Sequence, residues 1–170
     1  MTRKLMRVLP ILSLIGLLMA GCGPQEEPLE WEKIAQYDGG DIAPSPDERP
    51  RMTVVATPDQ VSELEPYVYS FVLQEISQSD FSEFLVVAVF QGYHGVADYS
   101  VEVEDVRRNE NVITVDAKFL GPDPGEVLKP MATSPYCVLT IKKTADIRGE
   151  FIFVLIANSE EIMRQSLIIP

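Results

Sequence analysis

A single histidine, His94, lies in the stretch GYHGVADYS (92–100), just after the apolar run FLVVAVF. An imidazole there could act as a general base, which requires a proton donor within hydrogen-bond reach and usually a third group to orient the ring. Asp98, four residues on, is the nearest carboxylate that could orient it. The chain contains no Gly-x-Ser-x-Gly elbow and no Cys–His pair at a familiar spacing. One histidine also cannot build a His-Glu-x-x-His site. No catalytic residue is therefore assigned, and His94 is left as a ligand-contacting loop residue or an exposed turn residue.

The other reactive types are as sparse. Of the two cysteines, Cys137 falls in the alternating stretch YCVLTI, which predicts a buried structural thiol. Glu102, Glu104 and Asp105 invite a cation-site reading, but two of them on one strand face stand about 7 Å apart at about 3.4 Å per residue. No calcium loop with a closing glutamate is present. The expected state is a solvated strand face, with no metal and no cofactor. A net charge of −12 repels phosphate backbones, so nucleic acid is not an expected partner.

The N-terminus addresses the protein. Arg3, Lys4 and Arg7 precede an apolar segment, Val8–Ala20, of thirteen residues. A bilayer core needs about twenty, so this reads as an export signal. LMAGC resembles the lipobox of bacterial lipoproteins, with Met19 where Leu, Val or Ile is usual. The resemblance implies a signal peptide at 1–21, acylation of Cys22 and a domain facing outward from the membrane. Removal of 1–21 takes three basic and no acidic residues, leaving a mature charge of −15. Acyl chains, not basic side chains, would then hold it to lipid.

Residues 22–51 carry five prolines between Pro24 and Pro50 and eight acidic residues, which predicts a polar tether. Within it Trp31, Ile34 and Tyr37 recur at i, i+3, i+6, the spacing of a short helix. The domain is placed at 52–170. MTVVA reads as a strand, and Thr57-Pro58-Asp59 as a helix start. Residues 67–76 fit either periodicity and are read as helix. FLVVAVF (84–90) and FIFVLIA (151–157) read as strands buried on both faces. The stretches 99–106 and 113–119 alternate and predict an antiparallel hairpin across RRNEN. In it Tyr99 takes the first inward position. GPDPGE (121–126) must be a loop, and the tail EEIMRQSLIIP a helical turn or an edge strand. The sum is an α+β domain: a mostly antiparallel sheet of four or five strands with one or two N-terminal helices.

From Asp80 to Lys143 the chain resembles the PrcB C-terminal domain family, in which Asp-Phe precedes a hydrophobic strand ending in Phe-x-Gly. A loop then leads to Gly-Tyr-Ser, and a later Ser-Pro-Tyr opens another strand. The matching positions are Asp80, Phe81, Phe90, Gly92, Tyr99, Ser100, Ser134, Pro135 and Tyr136. Family loops tend to read Thr-Gly-Gly-Tyr, where this chain has Val96-Ala97-Asp98-Tyr99, so the backbone freedom of paired glycines is missing. The resemblance implies an exported lipoprotein and a non-catalytic accessory subunit of a secreted protease. Its candidate contact surface is loops 92–99 and 121–135, with Tyr93, His94, Tyr99, Ser134, Pro135 and the adjoining Tyr136 as candidate contacts. The alternative is a domain that binds a small molecule or divalent cation on its acidic face.

Overall fold

The computed structural model describes residues 26–38 and 49–170. The expected signal peptide and Cys22 lie outside the described residues. The described chain forms nine strands: β1 (Glu27–Pro28), β2 (Trp31–Tyr37), β3 (Arg51–Val55), β4 (Phe84–Phe90), β5 (Ser100–Asn109), β6 (Val112–Leu120), β7 (Tyr136–Lys142), β8 (Gly149–Ala157) and β9 (Glu160–Ile169). Between β3 and β4 lie a 3₁₀ helix, Pro58–Leu64, and α1, Ser70–Ile76. The strands build two sheets, one ordered β1-β5-β6-β8-β9 and the other β2-β7-β4-β3. Every pairing is antiparallel except β6 with β8. The single sheet of four or five strands is thus replaced by two.

Alternation of side chains explains the layering. Leu85, Val87 and Val89 of β4 pack between the sheets with Cys137, Leu139, Ile141, Val115, Phe153 and Leu155. Val86, Ala88 and Phe90, on the opposite face, pack with Val61 and Leu64 of the 3₁₀ helix and Val72 and Ile76 of α1. The continuous apolar run in β4 is therefore the signature of a strand covered on both sides. For β8 the same expectation is half corrected: Phe151, Phe153 and Leu155 enter the inter-sheet core, while Ile152 and Ile156 on the other face remain partly exposed.

The helix expected over 31–37 is corrected to a strand. β2 pairs with β7 from Trp31 to Tyr37, with a bulge between Lys33 and Ala35. An extra residue in a strand breaks the period of two, so Trp31 packs on the inter-sheet core while Ile34, Ala35 and Tyr37 pack on the helix side. The folded body accordingly starts upstream of the expected boundary at residue 52, and Leu29 is buried. Leu29 N donates to Val106 O, and Glu30 O accepts from Lys142 N, so these two residues carry the chain from one sheet to the other.

The helical segment divides. Tyr67–Tyr69 is irregular, α1 begins at Ser70, and the buried Val68, Val72 and Ile76 recur every four residues. At the 3₁₀ helix, Gln60 Oε1 accepts from Thr57 N and Ala56 N, the reach-back half of a capping box. The tail is an edge strand, joined to β8 through Asn158 and Ser159, both at positive φ (51° and 70°). This is the pattern of a two-residue type I′ turn.

Candidate functional site

β4 and β7 are antiparallel neighbours, with Phe90 opposite Tyr136. The loop leaving β4 and the segment entering β7 must therefore meet at one end of the sheet. Backbone bonds continue the pairing beyond the strands: Gln91 N donates to Pro135 O, and His94 and Thr133 exchange N–H···O bonds of 2.8 Å each way. Ala97 N donates to Lys129 O, and Thr133 Oγ1 to Val96 O. Gln91 Nε2 reaches Leu120 O. The two predicted loops thus form one surface.

Beneath it a row crosses the sheet, Tyr37–Tyr136–Phe90–Arg51, set by register. Tyr136 is fully buried. Its ring stacks on Tyr37 at 5.7 Å and tilts against Phe90 at 5.9 Å. Its hydroxyl accepts from Tyr69 N at 3.4 Å, and burial raises its pKa above the ordinary phenol value. Tyr136 is therefore core, and its candidacy as a direct contact is corrected; it fixes the floor of the surface. Arg51 lies over the Tyr67 ring at 3.3 Å. Ser134 and Pro135 are buried and line a small crevice with Arg49, Arg51, Tyr67, Phe90 and Gly92.

Tyr93, His94 and Tyr99 are half-buried. Tyr99 precedes β5, and its ring stacks parallel on His94 at 3.6 Å and packs against Gly121. His94 Nε2 is buried without a hydrogen-bond partner, so no Asp98–His94 pair forms at that nitrogen. Burial holds the imidazole pKa below its ordinary value, which favours the neutral ring. Cys137 is buried and its thiol is pushed up to about 11, mainly by burial, which removes the thiolate needed for nucleophilic chemistry. Among the described residues no group of three His, Cys, Asp or Glu side chains is placed to hold a metal. Also among the described residues, no helix is long and apolar enough to cross a membrane.

The departure from the family loop has a conformational answer. Asp98 adopts φ 71°, the left-handed region, at the place where family members carry glycine before tyrosine. Aspartate tolerates that region better than most residues, at a cost of about 1–2 kcal/mol for a generic side chain. The turn is therefore kept without its glycine. Asp98→Gly is expected to raise stability by up to about 1 kcal/mol, since the entropy lost by glycine offsets part of the relief; a urea midpoint at constant slope checks it.

Sequence reasoning missed the apolar exposure here. Val127 is 92% exposed and Leu120 and Leu128 are 38% exposed, and Leu128 adjoins the Lys129 carbonyl that binds Ala97 N. The signal was present as an aliphatic pair within a loop of prolines, glycines and charges. Asp80 and Phe81 have structural work instead. Asp80 Oδ1 accepts from Ser82 N and Oγ, and Phe81 closes the helix-side core. The Ser82 bonds hold the Asp80 carboxyl below the usual range.

These features define a two-sheet β-domain, covered on one side by a helical layer, with the motif residues from Phe90 onward gathered at one end of the sheet and Asp80 and Phe81 at the other. Residues 85–142, about a third of the chain, match the family model described as PrcB C-terminal, and over that segment the chain is similar to this family. No curated protein and no solved structure matches the chain.

Proposed function

We propose that this protein is an exported lipoprotein, anchored through acylated Cys22, whose domain binds another protein without catalysing a reaction. The partner class is a secreted protease or its precursor, in keeping with the accessory role that the family resemblance implies. The contact surface is the joined loops 92–99 and 121–135. The observation that carries this reading is the exposure of Val127 and Leu128 within the second loop, with Leu120 at the strand end that leads into it. A partner that covers these aliphatics would remove their apolar area from water, which favours association. Tyr93 and the His94–Tyr99 stack supply aromatic area at the same end.

Co-isolation of the tagged full chain from its native envelope tests the reading. Wild type should retain a protease. Val127→Asp with Leu128→Asp should reduce its recovery at least tenfold, equivalent to about 1.4 kcal/mol, without changing thermal stability. Equal recovery by the variant, or no protease at all, overturns it.

A further inference from the structure

Three strands of this fold, β4, β7 and β8, are apolar on both faces, and β8 alone of the three lacks cover on one of them. The 3₁₀ helix and α1 cover the second face of β4. The outer face of β8 carries Ile152, Val154 and Ile156, continued by Val112 of β6 opposite Ile152 and by Ile168 of β9 on the next row. Among the described residues no element packs over this face. Val154 is already sealed by its neighbours at 3% exposure, Ile152 and Ile156 are half-buried, and Ile168 is 76% exposed. A solvated antiparallel face ordinarily alternates to polar residues, as β5 does here with Glu102 and Asp105.

We propose that this outer face is a second docking surface, for a protein segment with an aliphatic centre and Lys or Arg at its margins. Charge selects that occupant. The cations of the face are already held by its own carboxylates: Arg107 by Asp116 and Glu26, Lys118 by Glu104, and Arg164 by Glu161. Glu102 and Glu150 then leave an acidic surplus. A second copy of this chain would oppose two acidic rims, whereas a basic rim completes them. The proposal rests on the reading that the domain binds protein, but uses a different face from the loops.

A photo-crosslinking residue placed at Ile152 or Ile168 in the full chain, in its native envelope, tests it, with Val127 reporting on the loops and Phe71 as a control on α1. Expected are adducts from 152 and 168, but not from 71, to one polypeptide. The points of attachment should lie in an aliphatic segment flanked by Lys or Arg. Their yield should fall about tenfold on Ile156→Asp, and also between about 0.1 M and 1 M salt, where screening shortens from about 10 Å to 3 Å. Adducts to a second copy of this chain, to lipid alone, to a segment without basic flanks, or to nothing overturn the proposal. Adducts from 127 with none from 152 or 168 reject this face and leave the loop reading standing.

Discussion

Tyr136→Ala is expected to lower the unfolding free energy by about 3–5 kcal/mol, the usual cost of deleting a large buried ring. The side chain has no exposure, and it touches Tyr37 on one side and Phe90 on the other. Its removal would leave a cavity under the joined loops and free Tyr69 N from its acceptor. For a domain of ordinary stability, about 5–15 kcal/mol, that is a large fraction. Tyr136→Phe keeps the ring and loses only a bond of 3.4 Å, so its expected cost is below about 1.5 kcal/mol. Urea denaturation distinguishes the two variants. Partner binding by Tyr136→Phe should match wild type, because a buried hydroxyl does not meet the partner; a tenfold loss with unchanged stability would return Tyr136 to the contact surface.

The second large effect concerns the anchor. Under the proposed removal of residues 1–21 the chain would carry a charge of −15 and be repelled by an anionic membrane surface, so its proposed residence there depends on acyl chains at about 0.8 kcal/mol per buried methylene. Cys22→Ser is expected to move the protein from the membrane fraction to the soluble one. Intact-mass measurement of wild type should give an N-terminus at Cys22 with added lipid. Unchanged fractionation of the variant, or an unmodified wild-type mass, contradicts the anchor.

How much of this was legible in the sequence follows from which contacts were local. β4 was readable from its unbroken apolar run, and the β5–β6 hairpin from two-residue alternation and a short connection. Phe90 to Gly92 and Ser134 to Tyr136 were readable as a motif, yet the sequence does not show that they face one another. That depends on β4 pairing with β7 across an intervening hairpin. β2 was misread because its bulge converts strand alternation into a spacing of three. The second sheet was invisible because the parallel β6–β8 pair is formed by a strand that returns after β7, in the other sheet. At the candidate site, Tyr136 was chosen for its polar tip, which the fold uses inward. Val127 and Leu128 were overlooked because a loop assignment carries no expectation of which apolar residues lack cover. The missing glycine at position 98 looked like a lost loop geometry, and the backbone shows that aspartate supplies the left-handed turn itself.

The central claim, that the joined loops are the contact surface, is most directly tested by hydrogen–deuterium exchange on the full chain, free and within the complex isolated from its envelope. The account predicts slowed exchange in 92–99 and 121–135 on binding, with the α1 amides unchanged. Equal exchange in both loops in the presence of a bound partner would contradict it.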